Sequence, residues 1–278
     1  MIAGTIPALL TPFRDSGRSI DFDAMDAHVS WLSEHGVTCI SPLGTTGEGA
    51  SLSLDERKAV IARLVDHPSG VSVLPGTGTN ALPETIELSR FALERGAAGV
   101  LVIPPWYFGA TAEGTLAYFR EVVDAMPDGG DRVFPYHIPA FSRVPIEDDV
   151  LRLPRVGGVK DSAGDLEHTL GWLRAFPSLT VLSGNDTHAA AMYAAGATGT
   201  LTMLANVFPD RLEAIRRGAD VEASQQFLVD ARAVVESVPR HAALKYLVHR
   251  RAGVARSAVR PPLDELEPGH EAVLDALL

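Results

Sequence analysis

The side chains of this chain best suited to carbon–carbon bond chemistry are an amine, a phenol and a pair of adjacent hydroxyls. Lys160 follows Val156-Gly157-Gly158-Val159, an apolar run of strand character, so its side chain is expected to close a strand among apolar walls. Burial disfavours an ammonium ion, and a neutral amine attacks a carbonyl carbon. The plainer reading is a solvated strand-end lysine. Against it, only Lys58, Lys160 and Lys245 among the 24 basic residues are lysine, and no other expected strand end carries one. A Schiff-base lysine needs a proton carrier, and a phenol from another strand end, Tyr136, can reach it. A rim tyrosine with a packed ring and a wet hydroxyl is the simpler alternative.

The run Gly44-Thr45-Thr46-Gly47-Glu48 offers two hydroxyls and freed backbone N–H groups, suited to a carboxylate or another small anion. It is too short for a P-loop and lacks the GK[ST] ending, so capping of the next segment is an alternative. Glu48 reads as a partner for backbone N–H groups rather than a base. A metal site is not expected. The histidines stand at 28, 35, 67, 137, 168, 188, 241, 249 and 270 without HxH or HExxH spacing. His137 and His188 lie near strand ends, where they can reach a substrate. The lone Cys39 makes neither a disulfide framework nor a CxxC site.

These groups require elements that bring strand ends together. Apolar β-branched runs recur at 5–9, 37–42, 71–75, 99–103, 132–136, 157–160, 180–183 and 199–203. Amphipathic stretches at 21–34, 54–65, 83–95, 113–125 and 165–175 lie between them, several with a capping residue in front. Eight such βα units predict an α/β fold, a closed (β/α)8 TIM barrel over 1–208. An open dinucleotide-binding sheet would carry GxGxxG after its first strand, where this chain has Thr11-Pro12-Phe13-Arg14. Strands stop after Pro209. The stretches 211–217, 221–238, 240–251 and 269–278 read as a helical C-terminal extension over 209–278, interrupted by an extended 259–263.

Composition narrows the partners. The chain has 278 residues, 46% of them hydrophobic, and a formal net charge of −11. An acidic surface repels phosphate backbones, so nucleic acid is not an expected partner. No apolar stretch reaches the roughly 20 residues of a membrane span, and no basic region precedes the apolar N-terminus. A soluble, cytoplasmic protein is the expectation.

The combination GTTGE, YHIP, GVKDSAGD, SGND and VRPPL, in this order between Gly4 and Leu263, resembles the dihydrodipicolinate synthase / N-acetylneuraminate lyase family of pyruvate-dependent Schiff-base enzymes. The resemblance implies that Lys160 forms the imine with pyruvate or with a 2-oxo acid being cleaved. It implies that Tyr136 shuttles protons, that Thr45 hydrogen-bonds the tyrosine, and that Thr46 binds the substrate carboxylate. It places Tyr107 where family members extend a tyrosine into a neighbouring subunit's site. Gly47, Phe141, Gly184, Asn185, Asp186 and Leu201 fall at substrate-binding positions. The covalent imine stands in place of a cofactor, and a homotetramer is implied.

Departures bear on the substrate. Dihydrodipicolinate synthases carry an arginine five residues after the tyrosine; here that position is Phe141, with Arg143 two residues further on. The sialate lyases' glutamate is replaced by Thr187, and Met203 stands near their polar residue. Asn80 and Glu84 match inhibitor-binding positions of the family, while a nearby histidine is replaced by Leu54. The expected activity is therefore a class I lyase. It would act on a 2-oxo-3-deoxy sugar acid or a related 4-hydroxy-2-oxo acid, giving pyruvate and an aldehyde. The alternatives are dihydrodipicolinate synthase itself, a dehydratase using the same imine, and a non-catalytic 2-oxo acid sensor.

Overall fold

The computed structural model describes residues 2–278. The expected strands form as β1 (Gly4–Pro7), β4 (Cys39–Ile40), β5 (Ser72–Val73), β6 (Val100–Val102), β7 (Val133–His137), β8 (Gly158–Asp161), β9 (Thr180–Ser183) and β10 (Gly199–Thr202). Between the first two lies a small antiparallel hairpin, β2 (Phe13–Arg14) with β3 (Ser19–Ile20), which sequence periodicity did not mark. β1 pairs with β10, and β9, β8, β7 and β6 follow in order, all parallel. β4 pairs with β5, and single parallel bridges, Ala8 to Ser41 and Gly76 to Leu101, join the two sets into a ring. The chain is thus a TIM barrel with C-terminal helices.

The crossover helices start where their capping residues stand. In α1 (Phe22–Glu34) Asp21 accepts the Ala24 N–H, and in α2 (Leu54–Val65) Ser53 and Glu56 form a reciprocal capping box. α3 (Leu82–Arg95) has proline in its first turn, and Thr111 caps α4 (Ala112–Asp124). The β7-to-β8 crossover has only the one-turn helices α5 (Pro139–Ser142) and α6 (Asp148–Leu151). α7 (Leu166–Ala175) follows β8, α8 (Ala189–Ala194) follows β9, and α9 (Pro209–Arg216) follows β10. The extension is α10 (Val221–Glu236), α11 (Arg240–Ala252) and α12 (His270–Asp275). Residues 259–263, expected to be extended, instead turn after Ala258 bridges Phe13, with the Leu263 N–H donating to Arg260 O.

Inside the ring, Ile6, Cys39, Leu74, Leu101, Phe134, Leu182 and Leu201 form a buried plug. The plug is the floor on which Tyr136 and Lys160 stand. Gly158 makes it possible: a Cβ there would lie 2.4 Å from the Phe134 ring. The C-terminal helices bury Phe208, Leu212, Leu228 and Leu247 in a second cluster. Among the described residues no helix is long and apolar enough to cross a membrane.

Candidate active site

Successive residues of a strand point to opposite faces, so Tyr136 on β7 and Lys160 on β8, paired directly across the ladder, both face the barrel interior. Lys160 is 4% exposed, and its Nζ lies 4.2 Å from the centroid of the Tyr136 ring. The Tyr136 hydroxyl meets Thr45 Oγ1 at 3.5 Å. Burial pushes the phenol upward. The positive charge of Lys160 and hydrogen bonds with Thr45, Ser162 and Lys160 outweigh it, so the phenol ionises below the ordinary tyrosine range. A phenol tuned in this direction is a better proton carrier near neutral pH.

Room for the lysine comes from Gly184, which follows β9, rather than from the Gly157-Gly158 pair beside it in sequence. A Cβ at Gly184 would sit 1.8 Å from Ser162 Oγ and 3.1 Å from Lys160 Cε. The Gly157-Gly158 space is filled by Asp131 backbone and by Phe134. Leu201 is fully buried in the plug beneath.

The turn from Gly44 to Gly47 is bracketed by two non-glycine residues in the left-handed region, Leu43 at φ 65° and Glu48 at φ 53°. Each conformation costs about 1–3 kcal/mol, so surrounding contacts must hold the turn. Glu48 Oε1 accepts from Lys245 Nζ at 2.5 Å and Oε2 from the Arg260 N–H at 2.9 Å. Thr11 Oγ1 donates to Gly47 O at 2.6 Å. His241 Nε2 meets Thr45 O at 3.0 Å, and burial pushes that imidazole below its usual range, so the neutral ring donates there. Thr46 is half-buried, and its N–H and that of Thr45 have no internal acceptor among the described residues. Such a pair of N–H groups beside two hydroxyls can accept a carboxylate.

Thr45 and Tyr136 open onto a cavity of about 820 Å³ whose wall includes Leu101, Ile103, Trp106, Phe141 and Leu263. Phe141 thus stands in the cavity wall, while Arg143, held at φ 59°, is exposed and outside it. Tyr107 is 74% exposed and packs edge-on against the equally exposed Phe108. Asn80 Oδ1 accepts the N–H groups of Trp106 and Tyr107 and so shapes this loop.

The SGND residues divide differently. Asn185 Oδ1 accepts from the N–H and hydroxyl of Thr187, and its amide nitrogen faces His188 at 3.5 Å. Asp186 is fully buried; its carboxylate accepts from the Leu204 N–H and Arg232. It ties α10 to the barrel.

His137, Asp161 and His168 form a second polar cluster within 4.8 Å of one another. Its groups are committed to each other: Asp161 Oδ2 accepts from His168 Nδ1 at 2.8 Å and from Thr169 Oγ1 at 2.9 Å. His137 Nδ1 accepts the Ile146 N–H at 2.9 Å, which places the neutral ring's hydrogen on Nε2 and leaves that nitrogen without a lone pair for a cation.

The sequence matches the family model described as "Dihydrodipicolinate synthetase family" over residues 1–278. An "Uncharacterized DapA-like lyase" of Chloroflexus aurantiacus is 36% identical, with 98% of this chain and 95% of that protein covered. The 4-hydroxy-tetrahydrodipicolinate synthase of Sorangium cellulosum is 34% identical over 94% of this chain and 90% of its own length. The crystal structure of YagE, a prophage protein from E. coli K12 in complex with pyruvate, superposes with a TM-score of 0.90 at 28% identity, covering 100% of this chain and 98% of that one.

The chain belongs to the dihydrodipicolinate synthetase family.

It is accordingly a pyruvate-dependent lyase or aldolase of the Schiff-base type. Among the groups gathered here, this dihydrodipicolinate synthetase family chain has three that sequence reasoning passed over. Ser162 was visible as a hydroxyl two residues beyond the lysine, on the same strand face. Lys245 stood out only as one of three lysines and His241 only as one of nine histidines, and neither could be assigned to the turn because their partners lie nearly 200 residues away in the chain.

Proposed function

We propose that this protein is a class I aldolase that interconverts a 4-hydroxy-2-oxo acid with pyruvate and an aldehyde. The observation that carries the reading is Lys160 packed against Tyr136, whose hydroxyl meets Thr45, at the open end of a barrel otherwise plugged by hydrocarbon. Lys160 Nζ attacks the C2 carbonyl, and the carbinolamine loses water as Tyr136 supplies the proton. The iminium is then an electron sink. Tyr136 takes the proton of the 4-hydroxyl, the C3–C4 bond breaks, and its electron pair enters the imine to give an enamine and a free aldehyde. Protonation at C3 and hydrolysis release pyruvate and regenerate the amine. The Thr45-Thr46 turn is suited to hold the 2-oxo acid carboxylate.

Phe141 in the cavity wall favours this activity over dihydrodipicolinate synthase, since an apolar ring offers nothing to the carboxylate of aspartate semialdehyde. Exposed Tyr107 and Phe108 support a homotetramer in which this loop meets a neighbouring subunit. A cytoplasmic setting suits this chemistry. The test is intact mass after incubation with pyruvate and borohydride, followed by peptide mapping. A reduced pyruvyl adduct on Lys160 is expected; folded, unmodified protein would replace the aldolase with a 2-oxo acid sensor.

A further inference from the structure

We infer that the aldehyde this protein handles is apolar, aromatic or branched-chain, and carries no string of hydroxyl groups; this rests on the aldolase reading above. The cavity that begins at Tyr136 and Thr45 continues along Leu101, Ile103, Trp106, Phe141 and Leu263. Four of the charged or aromatic polar side chains that also border it are already committed. Glu48 is paired with Lys245, and Arg57 donates to the carbonyls of Gly49 and Gly78. His241 bonds Thr45 O, and Glu236 is paired with Arg232.

The β9 end is no freer. Asn185 Oδ1 is taken by Thr187, and the Asp186 carboxylate by Arg232 and Leu204. A polyhydroxylated chain entering this space would give up hydrogen bonds to water and find few offered in return, whereas hydrocarbon gains from the same wall. Arg240 lines the cavity without a hydrogen-bond or ion-pair partner among the described residues. A cation there attracts carboxylates, whether of the 2-oxo acid or of an acidic aldehyde, but does not satisfy a string of hydroxyl groups. Aspartate semialdehyde is therefore kept in the test beside the uncharged aldehydes.

The bond made in the synthetic direction joins C3 of the pyruvate enamine to the aldehyde carbon. The aldehyde oxygen takes the Tyr136 proton, and water releases the product from Lys160. The experiment measures kcat/KM for this condensation with benzaldehyde, isobutyraldehyde, D-glyceraldehyde and aspartate semialdehyde, using the full chain, alongside borohydride trapping with pyruvate alone. Benzaldehyde or isobutyraldehyde is expected to exceed D-glyceraldehyde by about 10- to 100-fold. Phe141→Ser is expected to shift that ratio toward D-glyceraldehyde by about tenfold.

Equal use of the aldehydes, preference for D-glyceraldehyde or aspartate semialdehyde, or a trapped pyruvyl adduct with no aldehyde consumed would overturn the inference while leaving the imine chemistry standing. Absence of the adduct would remove the aldolase reading, and this inference with it. A ratio unmoved by Phe141→Ser would exclude Phe141 as the residue that sets the preference.

Discussion

The two faces of the β7–β8 ladder carry polar pairs of opposite character. Tyr136 and Lys160 face inward; His137 and Asp161, the next residues along the same two strands, face α7. The inner pair ends at a cavity lined by Tyr136, with the Lys160 amine packed against the ring of that phenol. The outer pair is locked: Asp161 receives His168 and Thr169, His137 receives Ile146 N–H, and the Trp172 ring covers both histidines. Strand alternation thus separates groups free to react from groups spent on holding the barrel to its helix layer.

The largest effect expected from breaking this contrast is at Lys160. Lys160→Ala should lose turnover by several orders of magnitude and lose the borohydride-trapped adduct, with the thermal transition retained. Measurable turnover with pyruvate and any aldehyde would remove the imine mechanism. Tyr136→Phe should lower kcat by about two to four orders of magnitude; a change under threefold would make the phenol a bystander.

The outward layer should answer through stability instead. His28, buried on α1 with Nε2 bonding Asn206 O, has its pKa pushed down to about 4 from 6.5 by burial. Its folded pKa lies below its unfolded one, so the unfolded chain binds the proton first as pH falls. Its contribution is therefore constant above pH 6.5 and declines by about 3 kcal/mol between pH 6.5 and 4. Urea midpoints at pH 7 and 4.5 should fall further apart in the wild type than in His28→Gln; equal differences would count against this assignment.

His168→Ala should cost about 1–2 kcal/mol in urea unfolding while kcat stays within about threefold. A large kcat loss at full stability would show that the outer pair communicates with the inner one. The smallest effect is at Thr45. Its hydrogen bond lowers the Tyr136 pKa, so Thr45→Val should move the basic limb of the kcat/KM pH profile upward. A downward move would contradict the sign.

The sequence by itself determined the βα repeat, because period-2 and period-3.6 hydrophobicity are local properties of the chain. It also marked Lys160, Tyr136, Thr45 and Thr46, because strand-end position follows from the repeat. Tertiary structure alone decided which polar residues remain available. The resemblance put Asp186 at a substrate-binding position, yet Arg232 from α10 claims its carboxylate. Gly157 and Gly158 stand nearest the lysine in the chain, yet the space beside its side chain comes from Gly184, which follows β9. The strained Thr45-Thr46 turn depends on His241, Lys245 and Arg260, which only folding brings to it. Local pattern can place a side chain at a strand end, but the competing partners for its hydrogen bonds come from distant parts of the chain.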